Sequence, residues 1–247
     1  MLTLKETLDT LKSLGHNPNK KLGQNFLVDK NIVEISIRLA ELQKGERVVE
    51  VGPGLGTLSS AILETGAHLT SIEKDHGLLD YLKDHFPSLQ VIHSDATQVD
   101  YTQFGDFKIV ANLPYAVSSP LLEKFLAALP SRMVVMVQRE LAERYCATSG
   151  KSFSALSIFL QSAYRLKIAH IVTRKCFFPA PKVESCLLIL ERLPQPVIFT
   201  PDKQKLIRSF FLNRRKQVRK ATEANPESKL WFEKLVAEGK ISPMARA

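Results

Sequence analysis

The sequence is poor in the residues that cross-link small proteins or hold metal ions. Its 247 residues include three cysteines, Cys146, Cys176 and Cys186, an odd number without a C-x-x-C spacing. This pattern favours reduced thiols over disulfides and is typical of a cytoplasmic protein. The six histidines occur singly, without the pairing seen in metal ligands, so we expect no metal ion.

Long apolar runs are also missing from the sequence. No segment is long enough to cross a membrane, and the first residues carry charge and resemble a helix rather than a secretion signal. With 45% hydrophobic and 24% charged residues, the composition is that of an ordinary globular protein. We therefore expect a cytoplasmic protein that does not contact membranes.

Acidic residues are scarce in one region, the end of the chain. Residues 201–247 contain 12 of the 34 Lys and Arg residues but only 5 of the 25 Asp and Glu residues, so most of the net charge of +9 lies there. The densest basic run covers residues 214–220. A run of charge alone predicts a solvated helix face as readily as a binding surface.

The order of apolar and helical segments predicts the architecture. Apolar runs alternate with helical segments over residues 47–138, which is typical of βαβ units and a parallel sheet. Further apolar runs at 165–173 and 183–190 predict a closing strand pair. We therefore predict an α/β domain over residues 1–195, with a helical N-terminal lead, and a small basic helical domain over residues 196–247.

Glycines and carboxylates follow the first three predicted strands. The first strand runs into a loop with Gly52, Gly54 and Gly56, where the backbone turns sharply and approaches a ligand. This spacing is tighter than the G-x-G-x-x-G of pyrophosphate-binding loops. The next two apolar runs end in Glu73 and Asp95, which could accept hydrogen bonds from a ribose and from an adenine amine. The pattern predicts a nucleoside ligand at the carboxyl edge of the sheet.

A second pattern follows the fourth predicted strand. Asn112, Leu113, Pro114 and Tyr115 combine an amide, a rigid proline and an aromatic ring. The Asn112 amide oxygen and the Leu113 carbonyl could both accept from an exocyclic amine, and Tyr115 offers a face for stacking a base. On its own, the run is explained equally well by a strand that ends in an ordinary turn.

Together these motifs resemble the ribosomal RNA adenine dimethyltransferases, the family that includes the kasugamycin-resistance enzyme of bacterial small-subunit maturation. The resemblance covers residues 20 to about 220. It rests on Glu73, Asp95 and five longer motifs, which are KLGQNFL at 21–27, EVGPGLG at 50–56, NLPY at 112–115, VQRELAER at 137–144 and FFPAPKV at 177–183. It implies a class I S-adenosylmethionine-dependent methyltransferase fold, a Rossmann-like α/β sheet, with a small C-terminal helical domain.

The resemblance also implies a site for S-adenosylmethionine. Its residues are expected to be Asn25, Leu27, Gly52, Gly54, Glu73, Asp95 and Asn112. Glu73 would take the ribose, Asp95 the adenine, and Asn112 would bridge the donor and the target. For the target adenine, the implied catalytic residues are Asn112, Leu113, Pro114, Tyr115 and Phe177, with the base stacked between Tyr115 and Phe177. Phe177 is also readable as a core residue beside Phe178.

An RNA substrate changes the interpretation of the basic residues. Phosphate contacts are now favoured over a solvated face for Lys20, Lys21, Arg214, Arg215, Lys216 and Arg219. The expected partner is small-subunit ribosomal RNA within an immature subunit, bound by a monomeric enzyme. The chain also ends earlier than such relatives usually do, so we expect a closing C-terminal segment to be missing.

Three other functions remain open from the sequence. One is the related large-subunit adenine methyltransferase that confers macrolide resistance. Another is a binding-only ribosome assembly factor, against which the intact set of Gly52, Glu73, Asp95 and Asn112 argues. The last is a small-molecule methyltransferase, which would have no use for the basic C-terminal region.

Overall fold

The computed structural model describes residues 2–19, 22–212, 218–223, 226–242 and 244. Its helices are α1 (Leu4–Ser13), α2 (Lys30–Ala40), α3 (Thr57–Glu64), α4 (His76–His85), α5 (Ser118–Ala128), α6 (Arg139–Cys146), α7 (Ala155–Ala163), α8 (Pro201–Leu212), α9 (Val218–Thr222) and α10 (Pro226–Ala237). Its strands are β1 (Phe26–Leu27), β2 (Arg47–Val51), β3 (His68–Glu73), β4 (Gln90–His93), β5 (Lys108–Asn112), β6 (Arg132–Gln138), β7 (Tyr164–Val172), β8 (Phe177–Phe178) and β9 (Ser185–Arg192).

A seven-stranded sheet in the order β4-β3-β2-β5-β6-β9-β7 forms the centre of the described structure. Strands β2 to β6 pair in parallel, and β9 lies antiparallel between β6 and β7. The chain builds outward from β2 to β4, then returns to place β5 on the other side of β2. This reversal is the point where open α/β sheets bind ligands. The predicted α/β sheet is therefore confirmed.

Helices cover both faces of the sheet. Helices α5 and α7 pack on one face, and α2, α3 and α4 pack on the other. Strand β6 is consequently buried on both sides, and its residues 133–137 are at most 1% exposed. A continuous apolar run, rather than an alternating one, is what such a strand requires.

The predicted closing strand pair is formed by β7 and β9. The predicted runs, 165–173 and 183–190, differ by one or two residues from the observed strands. The pairing contains an irregularity between Ile168 and His170, where the register shifts. Such a bulge interrupts the alternation of inward and outward side chains, and strand ends are hard to place from sequence beside one.

A second, two-stranded sheet was not predicted. Strand β1 pairs antiparallel with β8, and the pairing places Phe26 opposite Phe178 and Leu27 opposite Phe177. Two residues are too few to show a strand's alternation, so the sequence carried no signal for this contact. The pairing ties the N-terminal segment to the FFPAPKV segment.

Most of the described residues after residue 200 lie in helices α8, α9 and α10, as expected, and α8 packs against the sheet domain. Ile207 and Phe211 of α8 lie against the core cluster of α5 and α7. The Arg208 guanidinium lies 2.9 Å from the Glu123 carboxylate and 5.2 Å from the centre of the Phe159 ring. A domain boundary at residue 195 stays a prediction.

Gly56 provides a test of how the glycine loop is packed. Gly56 has φ of +75°, and an added Cβ would lie 2.2 Å from Cε2 of Phe86. Gly45 has φ of +82° but open space around it. We expect Gly45→Ala to cost about 1 kcal/mol of unfolding free energy from backbone strain alone, and Gly56→Ala about 3 kcal/mol because the ring must also move. Urea unfolding measures both; equal losses would contradict the tight packing at Gly56.

Candidate active site

An open cleft lies at the carboxyl ends of β2, β3, β4 and β5, with about 1190 Å³ of space when the solvent at its mouth is included. It is lined by residues 22–27 of the N-terminal segment, the glycine loop, the ends of β3 and β5, and residues 94–96 after β4. The parallel pairing brings these strand ends to one edge, so residues far apart in sequence meet there. The cleft contains every residue predicted for the donor site.

The glycine loop forms part of the cleft floor. The Gly52 N–H donates to the Ile72 carbonyl at 2.9 Å, and the backbone adopts φ of +68° at this residue. A Cβ at Gly54 would lie 3.1 Å from the ring of Phe26. Side chains at these two positions would therefore be strained, and at Gly54 also crowded. The loop therefore contributes backbone, without side chains, to the cleft lining at these two positions.

Glu73 ends β3 as a buried carboxylate, 5% exposed. Its Oε2 accepts from the Gly54 N–H at 3.2 Å and its Oε1 from the Asp75 N–H at 2.7 Å. Burial raises the pKa of Glu73 above its usual value, although both hydrogen bonds oppose the shift. Each oxygen keeps a further lone pair, so the carboxylate could accept both hydroxyls of a ribose.

Asp95, after β4, is held as an anion. Lys74 Nζ donates to its Oδ2 at 2.7 Å, and Thr97 donates to its Oδ1 through both N–H and Oγ1. The hydrogen bonds from Lys74 and Thr97 lower the pKa of Asp95 to about 2. An adenine amine bound here would meet a permanent acceptor, already oriented by its neighbours.

Asn112 ends β5 with its amide orientation fixed. Its Nδ2 donates to the Asn25 carbonyl at 3.0 Å, which turns Oδ1 away from Asn25 and leaves that oxygen to accept from a ligand. The next residue, Leu113, is 1% exposed, and its N–H donates to the Met136 carbonyl at 3.1 Å. Pro114 follows with φ of −58° and ψ of 124°. The backbone of the motif is thus pinned to the sheet.

The Tyr115 hydroxyl is hydrogen-bonded to the hydroxyl of Ser185, a fully buried residue at the start of β9. Burial raises the pKa of Tyr115, so the phenol keeps its proton. The ring lies in the cleft lining. Tyr115 can therefore offer a ring face to a ligand while its other end stays anchored.

Phe177 does not lie among the residues that line the cleft. It is 4% exposed and packs in the core cluster of Phe26, Leu27 and Cys176. The structure thus shows the core contacts that the sequence left open as an alternative. Stacking of Phe177 on a target base stays a prediction, and it requires the ring to be uncovered.

Five of the predicted RNA-contact residues, Lys20, Lys21, Arg214, Arg215 and Lys216, lie outside the described residues. The sixth, Arg219, is on α9 with its side chain 70% exposed, 3.7 Å from Glu223 of the same helix. A solvated pair of this kind contributes little to stability, so the Arg219 charge remains available to a partner.

Glu50 also lines the cleft, although the sequence suggested no role for it. It is 2% exposed, and its Oε2 accepts from the hydroxyls of Ser59 and Ser71. Burial raises the pKa of Glu50 to about 7, against the two hydrogen bonds. The sequence did contain one indication of a special role for this residue, because an acidic side chain is unusual inside an apolar run such as β2.

The described part of the chain has neither a metal-binding cluster nor a helix that could span a membrane. It contains no group of three or more His, Cys, Asp or Glu side chains that could hold a metal ion. None of the described helices combines the length and the apolar character needed to span a membrane. The three cysteines are free thiols.

A model of the family described as ribosomal RNA adenine dimethylase matches residues 15–241. The chain belongs to this family. The dimethylase family resemblance seen in the motifs is therefore confirmed, and the protein is an S-adenosylmethionine-dependent rRNA adenine dimethyltransferase.

Individual proteins and solved structures are also similar to this chain. The Ribosomal RNA small subunit methyltransferase A of Opitutus terrae is 48% identical, over 88% of this chain and 83% of its own. The crystal structure of a dimethyladenosine transferase from Plasmodium falciparum superposes with a TM-score of 0.73 at 25% identity, over 87% of this chain and 82% of that one. The 23S rRNA methyltransferase ErmE gives a TM-score of 0.70 at 22% identity, over 90% and 92%, and shows the shared fold.

The cleft of this dimethylase fits S-adenosylmethionine. In strand order, Asp95 follows β4, Glu73 ends β3 and the glycine loop follows β2, so the buried Glu73 carboxylate lies between the second carboxylate and the glycine backbone. Glu73 and Asp95 would hold the nucleoside, and Gly52 and Gly54 would let its remainder approach the loop. The hydrogen-bonding groups of the cleft thus complement those of the donor.

Glu50 gives the dimethylase a testable pH dependence. Its pKa is about 7 in the folded protein, above the usual 4.5, so the folded state binds the extra proton and stability is lost as the pH rises through about 7. Glu50→Gln keeps the acceptor without the charge. We expect equal stability at pH 4.5 and a gain of about 3 kcal/mol for the variant at pH 8.5.

Chemical unfolding at both pH values measures the effect of Glu50→Gln. Glu46→Gln is the matched control, because the hydrogen bond from Lys108 lowers the pKa of Glu46 despite its partial burial. Replacement of Glu46 should reduce stability at neutral pH instead. A Glu50→Gln variant with the wild-type pH profile would show that Glu50 stays ionised.

Proposed function

We propose that this chain methylates the exocyclic amines of adjacent adenosines in small-subunit ribosomal RNA, acting as a monomer on immature subunits in the cytoplasm. The single observation that carries the proposal is the orientation of Asn112, whose amide oxygen is left free at the cleft beside the donor site. The small-subunit assignment is supported by the 48% identical relative that is named for that subunit. The likeness to the 23S rRNA methyltransferase, at 22% identity, supports only the fold.

The donor side of the cleft would orient and shield the methyl source. S-adenosylmethionine, when bound, supplies a methyl group activated by a positively charged sulfur. Glu73 would accept the ribose hydroxyls and Asp95 the adenine amine, and the buried position of Glu73 strengthens its hydrogen bonds. Asn25 and Leu27, from the N-terminal segment, would close the cleft over the nucleoside.

The target side would hold the adenine amine for attack. Hydrogen bonds from both amine protons, to Asn112 Oδ1 and to the Leu113 carbonyl, favour a pyramidal nitrogen whose lone pair is less delocalised into the ring. These acceptors are fixed before the reaction, which is how preorganised groups lower a barrier. The amine proton becomes acidic as the nitrogen attacks, so it can leave to water without a dedicated base, while the two oxygens hold the amine only by hydrogen bonds.

The reacting base must leave its stack to reach this site. Tyr115 is anchored through Ser185 and presents its ring in the cleft, where a base can stack on it. Phe177 would form the other side of the stack once its ring is uncovered. Pro114 would keep the intervening backbone rigid, since its φ is fixed by the ring.

The basic residues of the C-terminal region would contact the phosphates of the RNA. Arg214, Arg215 and Lys216 fall in the densest basic run of the sequence, and Arg219 is exposed on α9. Lys20 and Lys21 are a second basic pair, which precedes the cleft-lining segment 22–27 in the sequence. Phosphate contacts would give affinity and orientation, while the cleft selects the base.

The first prediction from this proposal concerns Asn112. Asn112→Ala should slow methyl transfer on the order of 100-fold, as expected when one fixed hydrogen-bonding partner of a transition state is removed. Association with RNA should be nearly unchanged. The assay incubates the protein with labelled donor and immature small subunits. Incorporation of label measures the rate, and mapping of the methylated bases identifies the target.

Glu73→Ala is the companion variant, because it should weaken donor binding measured by calorimetry. Turnover of Asn112→Ala within a few-fold of wild type would exclude the proposed role of the amide. No label on the small-subunit RNA, with label on large subunits assayed in parallel or on neither, would overturn the proposed substrate.

The second prediction concerns the basic run. Reversing the charges of Arg214, Arg215 and Lys216 should weaken binding to the subunit, and its log–log salt dependence should flatten by roughly one unit for each phosphate that is no longer neutralised. Donor affinity should not change. The control reverses three exposed lysines elsewhere, Lys5, Lys44 and Lys83, and so makes the same change in net charge. Equal effects of the two triple variants would mean that only the net charge matters.

A further inference from the structure

Gln24 and Asp75 form a half-buried contact between the N-terminal segment and the sheet domain. Gln24 Nε2 donates to Asp75 Oδ2 at 2.6 Å. Gln24 Oε1 accepts from the Asn19 N–H at 2.7 Å and lies 3.3 Å from His16 Nε2. Asp75 Oδ1 accepts from the Gly77 N–H at the start of α4. Both polar ends of Gln24 are therefore used within the protein.

This contact lies between the two halves of the proposed reaction site. On one side, the Asp75 N–H donates to Glu73 Oε1, the carboxylate proposed to take the ribose. On the other side, Gln24 is followed by Asn25, whose carbonyl accepts from Asn112 Nδ2. A continuous path of hydrogen bonds and one peptide link thus runs from the ribose carboxylate to the catalytic amide.

We propose that Gln24 is a positioning residue for methyl transfer, which holds the Asn25 carbonyl where it selects the productive orientation of Asn112. The inference rests on the proposed function and deepens it. An asparagine amide turned by 180° exchanges its oxygen for an NH₂ group, which cannot accept a hydrogen bond from the target amine. The Asn25 carbonyl prevents that exchange, because it accepts only from the NH₂ side.

The position of the Asn25 carbonyl in turn depends on the segment that carries it. The Asn25 side chain bonds only locally, to the Gly23 carbonyl at 2.9 Å. Phe26 and Leu27 are fixed by the short pairing of β1 with β8, on the far side of Asn25. On the near side, Gln24 Oε1 bonds within the N-terminal segment, to the Asn19 N–H, whereas Gln24 Nε2 bonds to Asp75 of the sheet domain. The Asp75 bond therefore joins residue 24 to the sheet domain, and its removal gives the carbonyl more freedom to move.

Reversing the direction of the Gln24–Asp75 hydrogen bond tests the proposal. Gln24→Glu places a carboxylate against Asp75 and should slow single-turnover methyl transfer about tenfold at saturating donor and subunit. Adding Asp75→Asn restores the hydrogen bond with its polarity reversed, since the new amide can donate to the carboxylate at position 24 and its oxygen can still accept from Gly77. The double variant should recover to within about threefold of wild type.

Two controls separate positioning from a general structural effect. Gln90→Glu makes the same chemical change at an exposed β4 residue, where the side chain only accepts from Thr70, and should leave the rate unchanged. Gln24→Glu should also have little further effect in the Asn112→Ala background, because the orientation it protects no longer exists. Where Gln24→Glu lowers the melting temperature by more than a few degrees, Gln24→Met replaces it as the single variant and in the Asn112→Ala background, and the test then rests on those two rates, because methionine cannot form the exchanged hydrogen bond with Asp75→Asn.

The outcomes are distinct. A wild-type rate for the Gln24 variants, no recovery in the double variant, or the same loss in both backgrounds would overturn the positioning role. A full rate for Asn112→Ala alone would instead overturn the proposed role of Asn112, whatever the Gln24 variants do. Three results together would establish the role of Gln24. Gln24→Glu is slow, the double variant with Asp75→Asn recovers, and the losses of rate from Gln24→Glu and Asn112→Ala are not additive.

Discussion

The parallel hydrogen bonding of β2 with β3 and β5 is the constraint on which the cleft depends. It brings the carboxyl ends of these strands to one edge, and with them Gly52, Glu73 and Asn112, although these residues are spread over 61 positions of the chain. A slip of one residue in either pairing would turn the terminal side chain to the opposite face of the sheet. The chemistry therefore depends on backbone register first and on the loops second.

Within this frame, the three cleft carboxyls differ because their surroundings differ. Asp95 is partly exposed and hydrogen-bonded to Lys74 and Thr97, so its pKa falls to about 2. Glu73 is buried but receives two backbone N–H groups, and its pKa rises. Glu50 is fully enclosed, with only hydroxyl partners, and its pKa reaches about 7. The cleft therefore combines a permanent anion, Asp95, with an enclosed carboxyl, Glu50, whose burial favours the protonated form.

Much of this site was predictable because its residues follow strands of clear apolar character. Gly52, Glu73 and Asn112 each mark the end of such a run, and the family motifs agreed with the fold that these runs predict. The short β1–β8 pairing and the Gln24–Asp75 contact join segments without periodicity, so no sequence pattern indicates them. Phe177 shows a different limit of prediction from sequence. Its motif indicates a stacking ring, but its 4% exposure follows from packing against residues 26 and 27, which only the structure reveals.

The antiparallel insertion of β9 has a consequence for biosynthesis. β9 pairs with β6 along its whole length, from Arg132 opposite Glu191 to Gln138 opposite Ser185, and so fills the gap between β6 and β7. As the chain emerges during translation, β6 keeps an unpaired edge until residues 185–192 follow, some 50 positions later. The same late strand carries Ser185, the anchor of Tyr115. The nascent enzyme therefore gains the strand between β6 and β7 and its tyrosine anchor from the same eight-residue segment, Ser185–Arg192.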